Sequence, residues 1–227
     1  MLLALDTATG SIGAALLEDG SVLSEVTHHD SRRHGELLAP AIDEAITRAG
    51  ATVADLTSIV VGVGPGPFTG LRVGIVTGLV LGHVRDIPVH GVCSLDALAE
   101  QAVADGIVGE PFLVATDARR KEVYWAAYAV EQGLPVRVGG PGVDHADDLP
   151  DDLRSRPTVG RGPLLYASLR GVGGPVDVRP GYLGLVAHRA LTNRADAPVD
   201  NGVLLPPEPL YLRRPDAAEP GPAKVVP

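Results

Sequence analysis

The chain has 227 residues, a formal net charge of −9, 45% apolar and 21% charged side chains, 28 glycines and 20 prolines. That composition fits one or two folded domains able to bury a core unaided. The single cysteine, Cys93, excludes a disulfide framework and the usual cysteine-ligated zinc sites. Residues 1–110 carry five basic and 14 acidic side chains and residues 111–227 carry 14 of each, so the first half is unsuited to holding a phosphate backbone by itself.

Leu2 to Asp6 predicts a strand, and Ile12–Leu17 and Val22–Val26 predict a hairpin turned by Asp19-Gly20. The period then changes: Leu37, Leu38, Ala41, Ile42, Ala45, Ile46 and Ala49 line one face of a helix, with Ser31 as its cap, Gly50 at its end and Pro40 disturbing its first turns. Residues 59–84 are almost uncharged and long enough to span a bilayer. Gly64-Pro65-Gly66-Pro67 and Arg72 instead divide them into a buried strand at 59–63, a glycine loop at 64–70 and a helix from about Gly70 to Val84, with Thr69 as N-cap. A strand at Val89–Val92 and a helix capped by Ser94 and running to about Val103 follow.

The Gly-bearing stretch 104–110 predicts a boundary between an N-terminal half, 1–105, and a C-terminal half, 106–227. The second half opens on strands at Phe112–Thr116, Val123–Val130 and Val136–Val138, an echo of the first meander in element order only. Residues 139–180 read as irregular, Tyr182–Arg194 as a last helix, and the Pro-rich tail as extended with its last ten residues loose. The first residues lack a basic n-region, so a cytosolic protein with no membrane span is expected.

Three features carry candidate chemistry. The first is Asp6-Thr7 at the end of a strand, where an acid and hydroxyls can hold a metal–phosphate group or simply form an Asx-type turn, together with the glycine loop around Gly64 and Gly66, a strand-to-helix position where anions often bind. Pro65 and Pro67 lack N–H donors, and the loop matches neither a Walker A nor a dinucleotide fingerprint, so the alternative is a plain strand-to-helix turn. The second is Gly70, Gly74, Gly78 and Gly82, spaced by four along one helix. Glycine disfavours a helix by about 1 kcal/mol per position, so this stripe predicts a close backbone approach, either to another chain or to the protein's own sheet. The third is the histidines, of which His28, His29 and His34 fit no zinc spacing. Cys93 has no base identifiable beside it.

Together these residues resemble the TsaB (YeaZ) family. The resemblance runs through Leu3-Ala4-Leu5-Asp6-Thr7-Ala8-Thr9, Arg33-His34 with Leu37-Leu38-Ala39-Pro40, the loop and helix from Val61 to Gly74, Gly91 to Ala99, Asp117-Ala118-Arg119-Arg120-Lys121-Glu122, and Pro209-Leu210-Tyr211-Leu212-Arg213. It implies an α/β, actin-like ATPase fold of two ribonuclease-H-like halves with mixed sheets flanked by helices. It also implies a non-catalytic subunit of the assembly that forms N6-threonylcarbamoyladenosine at position 37 of ANN-decoding tRNAs. The implied partners are a TsaD-like catalytic paralogue and a TsaE-like ATPase, with ATP and metal on those subunits, tRNA met only through the complex, and a homodimer in isolation.

The paralogue's metal-binding His-x-x-x-His corresponds here to Ser94 and Leu98, and leucine cannot coordinate a metal. No catalytic residue and no metal ligand are therefore expected. Asp6, Thr7, Gly64 and Gly66 are expected to line a degenerate nucleotide pocket. His34, Leu38, Gly70, Gly74, Gly78 and Gly82 are expected at the partner interface. The alternative is a stand-alone nucleotide-binding phosphotransferase or peptidase-like enzyme of the same fold.

Overall fold

The computed structural model describes residues 1–30, 33–193 and 202–213. The expected cap Ser31, Arg194 at the end of the last helix and the last ten residues lie outside them. Two mixed sheets carry the fold. The first has the order β10-β5-β4-β1-β2-β3, built from β1 (Leu2–Asp6), β2 (Ile12–Glu18), β3 (Ser21–His28), β4 (Ser58–Gly62), β5 (Val89–Val92) and β10 (Leu204–Leu205). Strands β1, β4 and β5 are parallel, and β2 and β3 form the antiparallel meander. Asp19 and Gly20 both have positive φ, 48° and 76°, as a two-residue hairpin turn requires.

Every residue of β1 is buried because helices cover both faces. Leu3 and Leu5 point into a core shared with α1 (His34–Arg48) and α2 (Phe68–Arg85). Leu2 and Ala4 point the other way, toward α3 (Ser94–Ala104) and α6 (Pro180–Asn193). The second sheet, order β8-β7-β6-β9, lies beyond that second helical layer. It contains β6 (Phe112–Asp117), β7 (Glu122–Glu131), β8 (Leu134–His145) and β9 (Thr158–Val159). Phe112, Val114 and Tyr128 share the core that includes Leu95, Leu98 and Leu183. A third cluster, with Leu113, Val123 and Leu149, closes the sheet's outer face near α4 (Asp151–Arg154) and α5 (Gly162–Leu165).

Both sheets use the same strand order, third-second-first-fourth, with the fourth strand parallel to the first. The echo between the two meanders is therefore topological. Asp96 of α3 links the layers: its Oδ1 accepts a hydrogen bond from the Tyr128 hydroxyl of β7 at 2.7 Å and lies 3.6 Å from Arg137 of β8.

Several expected boundaries move. Residues 139–180 are more regular than their glycine and proline content predicts. Strand β8 runs on through Gly139, Gly140, Pro141 and Gly142 to His145, because an edge strand tolerates both residue types. Gly142 also makes room for the Trp125 ring, which a Cβ there would meet at 2.8 Å. Helix α2 starts at Phe68 with Pro67, not Thr69, as its N-cap, and α3 begins at Ser94 itself. Helix α1 continues through Pro40, whose proline ring and unpaired Glu36 carbonyl both fall on the exposed side. The stretch 59–84 forms β4, the glycine loop and α2, and no helix among the described residues is long and apolar enough to cross a membrane.

Candidate functional site

A cleft of about 480 Å³ opens between the β1–β2 turn and the second sheet. Ala8, Thr9 and Gly10 form one wall and Gly66 and Pro67 of the glycine loop another; Thr116, Asp117, Arg119, Arg161 and Asp177 face them. Of the four residues expected to line a nucleotide pocket, only Gly66 reaches this cleft. A Cβ there would lie 2.2 Å from the Ala8 carbonyl, so only glycine lets the two walls meet.

Asp6, Thr7 and Gly64 instead tie the strand ends together from beneath. Asp6 is 1% exposed. Its Oδ2 accepts a hydrogen bond from the Ser94 hydroxyl at 2.7 Å, and its Oδ1 accepts one from the Ala8 amide at 2.9 Å. The Gly64 amide donates to the same Ser94 oxygen at 3.2 Å. The Thr7 hydroxyl donates to the Gly70 carbonyl at 2.7 Å and accepts from the Gly74 amide at 3.1 Å. The chain's own groups thus take up the acid and hydroxyl that could have faced a ligand. Gly62 permits this arrangement, since a Cβ there would sit 1.8 Å from Asp6 Oδ2.

Burial raises the Asp6 carboxyl from 3.8 to about 6, against the lowering effect of its Ser94 and Ala8 hydrogen bonds. The folded value lies above the unfolded one. The group's contribution to stability is therefore fully present in acid and is lost as the pH rises through about 6. A shift of this size corresponds to about 3 kcal/mol. Asp6→Asn should consequently shrink the change in unfolding free energy between pH 4 and pH 7.5 by about 1–3 kcal/mol. Urea unfolding at the two pH values measures this, and an unchanged difference would clear Asp6 as its source.

The expected interface residues also face inward. A Cβ at Gly70 would lie 2.5 Å from the Thr7 carbonyl, at Gly74 2.5 Å from Thr7 Oγ1, at Gly78 2.4 Å from Val61 and at Gly82 2.3 Å from Val89. The stripe is where α2 descends onto its own sheet. Leu38 is buried in the α1–α2 core, and His34 is buried beside Gly70; burial holds the His34 imidazole below its usual range. These six positions therefore pack against the chain's own sheet and core.

The opposite face of α2 is apolar and bare. Val76, Val80 and Val84 are 54%, 58% and 73% exposed, and with Ala39 and Ile42 of α1 they line a shallow groove. At the helix start, Phe68 stacks on Tyr211 with ring centroids 5.4 Å apart. Arg72 lies over the Phe68 ring and donates to the Tyr211 hydroxyl at 3.0 Å. The C-terminal Pro-Leu-Tyr segment is thereby fastened to the glycine loop, with the Leu210 amide donating to the Val63 carbonyl.

Ser94 and Leu98, the two positions compared above with a metal-binding His pair, are both buried. Among the described residues no group of three His, Cys, Asp or Glu side chains could hold a metal ion. Cys93 is fully buried, and burial pushes its thiol up to about 12, far from the thiolate that nucleophilic chemistry needs.

Residues 21–151 match the family model described as "TsaD: tRNA N6-adenosine threonylcarbamoyltransferase". An uncharacterized protein of Mycobacterium tuberculosis is 44% identical over 218 residues, covering 95% of this chain and 93% of that one. The tRNA threonylcarbamoyladenosine biosynthesis protein TsaB of Escherichia coli is 37% identical over 131 residues, covering 56% of this chain and 54% of that protein. The Bacillus subtilis TsaB is 34% identical over 134 residues, again a little over half of each chain. The solved structure of YeaZ from Pseudomonas aeruginosa superposes with a TM-score of 0.76 and 29% identity, over 93% of this chain and 99% of that one. Residues 21–151 take in the glycine loop and both helices of the apolar face, and the chain belongs to the TsaB (YeaZ) family.

Proposed function

We propose that the protein is a non-catalytic subunit in the formation of N6-threonylcarbamoyladenosine at position 37 of tRNA, and that it docks a TsaD-like catalytic paralogue through the outer face of α1 and α2. One observation carries the docking surface: α2 is apolar on both sides, with glycines against its own sheet and valines toward solvent. A helix apolar all round is normally buried on all sides, and a contiguous exposed apolar patch marks an interaction site. The names of the TsaB relatives supply the pathway.

A supporting role rather than a transferring one rests on the chemistry of the donor set. Ser94 is committed to Asp6 and Gly64, Leu98 is a core residue, and Cys93 is held as a neutral thiol. A TsaE-like ATPase joins the assembly, which brings its own nucleotide and metal, and tRNA is met through the assembly because this chain is acidic overall. Without its partner, the same face pairs two copies across a two-fold axis. Sedimentation of the isolated chain at tens of micromolar should therefore give a dimer. Adding the paralogue should replace that dimer by a mixed complex that co-purifies. A monomer that also fails to retain the paralogue would reject the docking surface.

A further inference from the structure

We propose that a second cavity, between α3, α6 and the start of β8, binds a small α-amino acid with an aliphatic side chain, its carboxylate on Arg137 and its ammonium on Asp96 and Glu100. The cavity holds about 310 Å³, at the small end of ligand pockets, which run from about 300 to 1,000 Å³. It is remote from the cleft at the β1–β2 turn. Tyr128 on its wall pairs with Phe112 at one end of β6, while Asp117 of the cleft stands at the other end. The strand between them spans about 17 Å. None of the lining residues belongs to α1 or α2, so the site stands independently of the docking surface.

Four charged side chains converge on this cavity from three elements. Asp96 and Glu100 lie one turn apart on α3, and both are buried. Like charges at that spacing repel along a helix, and each acid meets an arginine from another element. The Arg189 guanidinium of α6 donates to Glu100 Oε1 at 2.6 Å. Asp96 Oδ1 takes the Tyr128 hydroxyl at 2.7 Å, while Arg137 Nη1 stands 3.6 Å away, beyond a hydrogen bond.

Arg137 is the loosely held member. Its Nη1 is buried beside the Cys93 thiol and bonds to no oxygen among the described residues, and its Nη2 reaches the Gly202 carbonyl only at 3.5 Å. A guanidinium carries five donors, so a carboxylate arriving in the cavity completes its bonding. On the two acids these bonds fall on one oxygen each, and the other oxygen can receive an ammonium. Burial raises both carboxyls above their ordinary range, against the lowering effect of Arg137 and Arg189; a further cation therefore favours their charged forms. Buried ion pairs add little stability over apolar packing, whereas two acids and two arginines around an open cavity match a zwitterion. Leu134, Val186, Ala190 and Val203 supply the apolar wall, which an aliphatic side chain fills.

Titration calorimetry on the full chain with L-leucine tests this, beside isocaproate, which lacks the ammonium, isoamylamine, which lacks the carboxylate, and glycine, which lacks the aliphatic group. Leucine should bind wild type at one site per chain with a Kd of about 1 mM or tighter, and each of the other three at least tenfold more weakly. Arg137→Met and Glu100→Gln should each weaken leucine binding at least tenfold, with melting temperatures verifying that the variants are folded. No leucine binding by wild type, binding of isocaproate or isoamylamine as tight as that of leucine, or undiminished leucine binding by either folded variant would overturn the proposal. Glycine binding as tightly as leucine would overturn the aliphatic assignment. Should neither variant fold, the ranking of the four ligands on wild type decides.

Discussion

Gly78→Leu should destabilise the isolated chain by about 3 kcal/mol or more, at or beyond the upper end of ordinary overpacking. The ideal Cβ at this position lies 2.4 Å from Val61 Cγ1, 3.5 Å from Ile59 Cγ2 and 3.8 Å from Leu5 Cδ1. All three side chains belong to central strands buried on both faces, so none can swing into solvent. Either α2 must lift from the sheet or β4 must shift, and each separates packed surfaces. For a chain of this size 1 kcal/mol moves the melting temperature by about 2–4 °C, so a fall of about 6–12 °C or complete loss of folding is expected. Thermal unfolding reads this directly, and a variant that melts within 2 °C of wild type would show that the helix does not rest on Val61. Any loss of partner binding in Gly78→Leu would then be a consequence of misfolding.

Val80→Glu should do the reverse. Val80 is 58% exposed on the outer face of α2, and glutamate is a better helix former than valine, so stability should stay within about 0.5 kcal/mol. In a docked complex the same side chain would be an unpaired carboxylate pressed into the apolar groove lined by Ala39, Ile42, Val76 and Val84. Leaving a charge buried without a partner costs several kcal/mol. A loss of about 3 kcal/mol corresponds to roughly a hundredfold weaker association. Both the dimer of the isolated chain and the affinity for the TsaD-like paralogue should fall together. Unchanged affinity in a folded Val80→Glu protein would move the interface elsewhere.

The contrast between these two substitutions shows what the sequence could and could not convey. Four glycines at intervals of four signal a close approach to the helix, and the approach is there, made by the Thr7 carbonyl at Gly70 and by the side chains of Thr7, Val61 and Val89 at the other three. What approaches depends on which way the helix faces, and a helix apolar on both sides gives no amphipathic pattern from which to orient it. The exposed valines were the missing clue. Val76, Val80 and Val84 share the same spacing, but an apolar residue in a sequence reads as core until the surrounding chain is seen to leave it bare.

The strands were legible for the opposite reason. Leu2–Asp6 and Ile59–Val63 are short apolar runs, and Asp19-Gly20 is a turn whose chemistry is local, so neighbouring residues suffice to place them. The lock around Asp6 was half legible. An acid and a hydroxyl at a strand end are visible as a pair, but their partners, Ser94 and the Gly70 and Gly74 backbone, lie 63 to 88 residues away. Asp177, on the cleft wall, left no local signal at all. It sits in a stretch that reads as irregular loop, and its position against Gly10 arises only when the segment before α6 closes over the β1–β2 turn.

The central claim is that this chain is required for a reaction it does not perform. The most direct measurement is the formation of N6-threonylcarbamoyladenosine in an ANN-decoding tRNA, reconstituted from purified components with the threonylcarbamoyl donor supplied. The TsaD-like paralogue and the TsaE-like ATPase are tested with and without this chain, and this chain is tested alone. Product should accumulate only when this chain and the paralogue are both present, and this chain alone should give none. Transfer by this chain in isolation, or undiminished transfer when it is omitted, would contradict the account.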